Sequence, residues 1–272
     1  MKTRMRRGFV AAGALAALAL GSLPATAATS NPDISVCSPA DHTFTTNVTN
    51  QYLPLGATAR QPWALVGPDS GTTHGLLITD LGTTKTFKRS GWLNRVATEV
   101  IEEREWIDNG DAIFDPSTEN LVEISRNYYA QTVTGTQPGT VCYFGEDTDS
   151  YDGFGNDPGH IVNHTGSWSV ADPANDPGIF MPAAPKAGMH FFEESAPGIA
   201  LDQASIVGVG TVTVPLGSFA DAIRVKEFTS LEKGSTEYKS YAPNGVGPVI
   251  DDTLQRCLPG SNCLGAAALR RH

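Results

Sequence analysis

Apolar and polar residues alternate with a period of two along much of this chain. In Ile206-Val-Gly-Val-Gly-Thr-Val-Thr-Val214 valines stand two apart, at 207 and 209 and again at 212 and 214. That is the spacing of a strand with one buried face. Runs of the same kind predict strands at 63–66, 75–80, 96–107, 121–134, 140–146, 166–170, 190–194, 204–214, 220–229, 236–242 and 246–250. Asn109-Gly110, Asp152-Gly153 and Leu216-Gly217 punctuate the runs as turn signals. The stretch 94–106 (NRVATEVIEEREW) also admits a helix, because Glu and Arg are good helix formers. Its β-branched residues and the Asn109-Gly110 turn behind it favour a strand. That strand places Val96, Thr98 and Val100 on one face and Glu99, Ile101 and Glu103 on the other. No internal repeat or low-complexity linker interrupts the series. The expected fold is all-β, or mainly β: a single antiparallel curved sheet, half-barrel or barrel with few short helices.

The first residues do not fit this pattern. Lys2, Arg4, Arg6 and Arg7 precede an uncharged, mostly apolar run from Gly8 to Leu23, and Ala25-Thr26-Ala27 follows Pro24. This order of basic, apolar and small residues reads as a cleavable export signal over 1–27, cut before Ala28. The run is short for a membrane span, and no later stretch is apolar enough to form one. The remainder divides into an irregular leader (28–50), a β domain (51–250) and a cysteine-bearing C-terminal tail (251–272). The expected location is extracellular.

Export changes the charge. The chain has 19 Lys+Arg and 29 Asp+Glu; without the four basic residues of the signal, 15 remain against 29, a net charge of −14. Such a balance argues against nucleic acid and anionic membranes as partners. It suits a solvated surface or the binding of cations. Cys37, Cys142, Cys257 and Cys263 all lie in the mature part. In an oxidising compartment an even count suggests two disulfides, with three connectivities open. Cys257 and Cys263 flank the turn-forming Leu-Pro-Gly-Ser-Asn, which favours Cys257–Cys263 and therefore Cys37–Cys142.

Four groups of residues can carry chemistry. Glu146, Asp147, Asp149, Asp152 and Asp157, with Asn156, form an oxygen-rich stretch that can hold calcium, although their spacing is not that of an EF-hand. His160 and His164 adjoin it, and surface histidines are the simpler reading. His190, Glu194 and Asp202 form a candidate acid–base set; on a regular strand His190 and Glu194 share a side and Glu193 takes the other. Trp63, Trp92, Trp106 and Trp168 are candidates to line a ligand cavity, or to fill the core. The ladder Lys226, Glu227, Glu232, Glu237 and Lys239 reads as cross-strand charge pairing, or as a polar cluster inside a concave pocket. No nucleophile elbow, Walker motif or dinucleotide glycine pattern is present, so no nucleotide cofactor is expected.

A string of motifs then occurs in a recognisable order: Asn127-Tyr-Tyr-Ala-Gln, Cys142-Tyr-Phe-Gly-Glu-Asp, Gly166-Ser-Trp, Pro177-Gly-Ile-Phe-Met-Pro, Phe192-Glu-Glu-Ser-Ala-Pro-Gly, Val212-Thr-Val-Pro-Leu-Gly-Ser-Phe, Lys226-Glu-Phe and Glu237-Tyr-Lys-Ser-Tyr-Ala-Pro-Asn-Gly-Val-Gly. In this order the chain resembles a widespread family of secreted bacterial proteins without an established activity, over most of residues 50–250. The resemblance places Glu194 and Asp202 in a recurring motif. The Val-Pro-Leu-Gly-Ser-Phe element is also similar to one in periplasmic curved-sheet proteins, which implies a concave sheet of the kind that carries apolar ligands. The sequence departs from the secreted family at Asp147–His164 and in its C-terminal tail.

Three functions follow as expectations. The first is a secreted protein that binds a small apolar or amphipathic ligand in the concavity, with no catalytic role. It requires a cavity above about 300 Å³ lined by Trp, Tyr and Phe. The second is a secreted hydrolase, lyase or isomerase in which His190, Glu194 and Asp202 or Tyr241 converge in one cleft. The third is a calcium-stabilised extracellular structural protein. The partner is a small-molecule ligand or substrate, and the oligomeric state is left open.

Overall fold

The computed structural model describes residues 31–56, 62–152 and 159–264; the expected export signal lies outside them. One short 3₁₀ turn, Ile34–Cys37, precedes fifteen strands. These are β1 (Phe44–Thr45), β2 (Trp63–Asp69), β3 (Thr72–Phe87), β4 (Val96–Ile107), β5 (Leu121–Thr132), β6 (Val141–Tyr151), β7 (Ile161–Asn163), β8 (Trp168–Ser169), β9 (Gly178–Met181), β10 (His190–Phe192), β11 (Asp202–Val214), β12 (Gly217–Thr229), β13 (Glu237–Ala242), β14 (Gly247–Asp251) and β15 (Leu254–Cys257). Among the described residues no helix is long and apolar enough to cross a membrane.

All strands belong to one antiparallel sheet in the order β10-β11-β12-β13-β14-β15-β2-β3-β4-β5-β6-β7, with β1 beside β5 and with β8 and β9 beside β6. Neighbours in sequence are mostly neighbours in the sheet, as short turns between antiparallel strands require. The segment 94–106 is strand, as its β-branched content predicts. The sheet curls but does not close into a barrel. At the seam Asp176 and Ser195 form an isolated bridge, joined by the Asp176 N–H to the Ser195 carbonyl at 2.9 Å. The leader and tail are part of this body: β1 lies on β5, and β15 inserts between β14 and β2.

Curling makes one face an interior, and register decides what it receives. Glu227, Val225 and Ile223 of β12 stand opposite Glu237, Lys239 and Tyr241 of β13. On the other side Glu105, Glu103 and Ile101 of β4 stand opposite Glu123, Ser125 and Asn127 of β5, and Tyr129 follows at the next inward position. Alternate residues share a face, so one end of each of these strands presents apolar groups and the other presents carboxylates. Leu53, Leu55, Trp63, Ile78, Ile101, Tyr129 and Tyr241 belong to the main apolar core and meet around the apolar end. The opposite face of β4–β6 is covered by the leader, where Phe44 stands edge-on to Phe144 with ring centres 5.3 Å apart.

The cysteines pair as Cys37–Cys142 and Cys257–Cys263, each with Cα atoms 5.6 Å apart. The first ties the leader to β6. The second closes the turn after β15, as the Leu-Pro-Gly-Ser-Asn spacing predicts.

Candidate functional site

The acidic end of the interior is hollow. Two adjoining lobes, of about 120 and 130 Å³, share Glu103, Glu123, Ser125, Glu237 and Lys239. Together they are lined by eleven carboxyl groups and one ammonium. β12 and β13 supply Glu227, Glu237 and Lys239; β4 and β5 supply Glu103, Glu105 and Glu123; β14 and the turn behind it supply Asp251 and Asp252. Glu146, Glu193, Glu194 and Asp202 complete the wall on the seam side, beside Tyr129, Tyr143 and Phe180.

Local backbone irregularities aim several of these groups. On β6, Tyr143 and Glu146 both point inward although they are three residues apart. A register shift against β5 between Asn127 and Tyr129 absorbs the odd residue. Gly145 occupies that irregularity at φ +133°, and a Cβ there would lie 2.4 Å from the Trp168 carbonyl oxygen of β8. The regular strand β10 ends at Phe192, so Glu193 and Glu194 do not alternate. Their N–H groups both donate to the Asp202 carbonyl, at 2.8 and 3.2 Å. Both side chains line the cavity, contrary to the alternation expected from the sequence.

Electrostatics follow from enclosure. Burial pushes Glu103 up to about 7. Burial, then the neighbouring Glu123 and Glu103, push Glu146 up to about 8. Glu193, Glu194 and Glu237 are held well above the ordinary carboxylate range, with burial again the largest cause. Asp202 and Glu227 are raised for the same reason. Burial acts to lower the Lys239 ammonium, but Glu227 and Asp251 beside it outweigh that and hold it well above its ordinary value. Lys239 Nζ lies 2.9 Å from Glu227 Oε2. The lobes therefore hold carboxyl groups that want protons or another cation.

Among the described residues several of these oxygens have no hydrogen-bond partner. Glu146 is 4% exposed, Glu194 6% and Glu227 6%. Glu146 Oε1, Glu194 Oε2 and Glu227 Oε1 are buried without a hydrogen bond. Buried polar atoms are nearly always satisfied, so three unsatisfied acceptors around one cavity point to a donor from outside the chain.

The residues singled out from sequence fall in different places. Glu194 and Asp202 line the same lobe, with Glu194 accepting from Trp168 Nε1 at 3.2 Å. Tyr241 stands at the adjoining apolar end. His190 does not join them. Its ring stacks on Phe228 at 5.8 Å, and its Nδ1 lies 3.2 Å from Ser205 Oγ. Trp63 flanks the apolar end. Trp92 packs on the outer face against Phe144 at 6.5 Å, and Trp106 is buried beside Phe114 at 5.9 Å. The four tryptophans do not line one cavity.

The acidic stretch 146–157 is likewise split. Glu146 points into the cavity, whereas Asp147 meets Lys85 at 3.1 Å on the other face of β6. Asp149 pairs with Arg126 at 3.3 Å and with His164 at 2.8 Å. Asp152 accepts the His160 N–H at 3.0 Å. Asn156 and Asp157 lie outside the described residues. Asp147 and Asp149 are thus already paired with cations of the chain itself.

Among the described residues, two other groups bring three ligand atoms within 4.8 Å of one another: Asp69, His74 and Glu105, and Asp108, Asp111 and Glu119. In the first, His74 is already engaged at both nitrogens, with Glu105 at 2.6 Å and Thr72 Oγ1 at 2.9 Å. In the second, Glu119 accepts the Asn109 and Asp115 N–H groups, each at 2.9 Å. Among the described residues no three cavity carboxylates converge this closely. The cavity spreads its negative charge over a volume larger than one metal ion.

Neither the sequence expectation of an aromatic-lined pocket nor its volume describes these lobes, which are small and carboxylate-rich. Several cavity-lining residues stand in the motifs quoted above, among them Tyr129, Tyr143, Glu146, Glu193, Glu194, Glu227, Glu237 and Lys239, whereas Glu103, Glu105, Glu123, Asp251 and Asp252 do not. Comparison of the chain with protein-family models, with curated proteins and with solved structures finds no match.

Proposed function

We propose that this is an exported binding protein that holds a small organic cation in the acidic interior of its curled sheet. The observation that carries the reading is the set of unpartnered, buried oxygens of Glu146, Glu194 and Glu227 around one cavity. An ammonium group supplies N–H donors to such acceptors and offsets the charge of a wall whose only cation among the described residues is Lys239. Tyr129, Tyr143 and Phe180, which pack with ring centres 4.8 to 5.7 Å apart, offer aromatic surface to the same ligand. The spread of the carboxylates favours an organic cation over a single metal ion, and the disulfides suit an oxidising compartment.

Calorimetric titration at pH 8 with n-butylammonium, and with butyrate as the control of opposite charge, tests this. Binding of the ammonium alone is expected, at least tenfold weaker in Glu194→Gln. Equal binding of butyrate, or no binding of either, removes the reading.

A second reading, acid–base catalysis, is favoured by the burial that moves Glu103 to about 7 and Glu146 to about 8, both near neutrality. It predicts that an extract of the native culture medium contains a species consumed by the protein and not by Glu146→Gln. An extract unchanged by mass spectrometry counts against it.

A further inference from the structure

A groove of about 570 Å³ opens on the rim of the sheet where three segments meet: 164–167, 198–200 and 229–232. Its walls include Ile199, 46% exposed, and Leu231, 37% exposed, beside Ala200 and Thr229. Large aliphatic side chains left in water at one place call for a reason. The groove adjoins the acidic interior. Asp202 lines both, at the first position of β11. Glu194, whose N–H donates to the Asp202 carbonyl, stands on the inner side of that junction with an unpartnered oxygen.

From this shared wall we infer that the ligand is amphipathic: a primary ammonium head enters past Asp202 to the cavity carboxylates, and its alkyl chain lies in the rim groove against Ile199 and Leu231. The inference rests on the cation-binding reading above and adds the apolar half of the molecule. Charge complementarity fixes the polarity. Carboxylates concentrate on the inner side, whereas the groove sets Ile199 and Leu231 beside two carboxylates, Asp202 and Glu232. An alkyl carboxylate reverses this, placing an anion against Glu194, Glu146 and Asp202.

The experiment is a calorimetric series at pH 8 with n-butyl-, n-hexyl- and n-octylammonium chloride on the full mature protein and on Leu231→Asn and Ile199→Asn. Both substitutions keep the net charge and alter exposed positions; circular dichroism melts check that the variants fold. Each methylene moved from water into the groove is expected to tighten binding by about fourfold until the groove is filled. The octyl-to-butyl affinity ratio is expected to fall at least tenfold in either variant. If butylammonium binds and lengthening the chain brings no gain, or the gain persists in both variants, the inference is overturned and the cation-binding reading stands. If no alkylammonium binds the wild type, the reading itself fails and the inference with it.

Discussion

At the residue scale, Lys239 decides whether the acidic interior can exist. It stands opposite Asp251 in the sheet and lies 2.9 Å from Glu227, with Glu103, Glu123 and Glu237 on the same lobes. Removing one partner of a buried pair leaves the other charge uncompensated. Lys239→Met is therefore expected to destabilise the protein by about 3–5 kcal/mol at pH 8. The loss shrinks at pH 5, where the surrounding carboxyl groups take up protons, and the Glu227→Gln partner change restores part of it. Urea unfolding at the two pH values measures this; a loss independent of pH contradicts it. Lys239 and Glu227 were visible in the sequence as members of a charged ladder, and their pairing across strands is as that pattern suggests. What the pattern does not contain is the inside. Alternation puts Ile101 and Glu103 of β4 on one face, but only curling of the whole sheet makes that face an enclosure.

Local strand patterns carried most elements and lost others where the backbone departs from regularity. The alternating run 206–214 lies within β11, and 96–107 coincides with β4. β3 extends far beyond the expected 75–80, to Phe87. Its register shifts between Asp80 and Thr84, and Asp80 accepts the Gly82 N–H at 2.7 Å. Asp80-Leu-Gly82 is an irregularity within a continuing strand and not its end. The expected separation of Glu193 from Glu194 failed for a related reason, because β10 ends at Phe192, before either of them. The cysteine pairing was legible from turn chemistry, and it carries an energetic consequence. Cys37–Cys142 spans a sequence separation of 105 and Cys257–Cys263 one of 6. Closing the longer loop constrains the unfolded chain more, by about 5 kcal/mol against about 2 kcal/mol. Replacing both cysteines of the first pair by Ala is expected to lower the midpoint of chemical unfolding markedly more than replacing both of the second. Equal losses, measured under oxidising conditions, contradict that ranking.

For the whole molecule, the enclosed carboxylates couple stability to pH in a direction opposite to that of an ordinary salt-bridged acid. Glu103 rises from 4.5 to about 7 and Glu146 from 4.5 to about 8 on folding, mainly through burial. The folded state therefore binds more protons than the unfolded state between pH 4.5 and about 8. Stability from these groups is fully present below 4.5 and is lost as pH rises through their folded values. The ligand-free protein is expected to melt on the order of 10 °C lower at pH 9 than at pH 5, with Glu146→Gln reducing the difference. An alkylammonium remains protonated across that interval, while the cavity becomes more negative. Its affinity is therefore expected to rise with pH just as the empty protein weakens, so its stabilising effect is largest at pH 9. Thermal melts with and without n-octylammonium at both pH values measure the two trends together. A ligand-induced shift that is equal or larger at pH 5 breaks the link between carboxylate ionisation and binding. The opposite result makes acidification a means of release: the proton replaces the cation on the same buried oxygens.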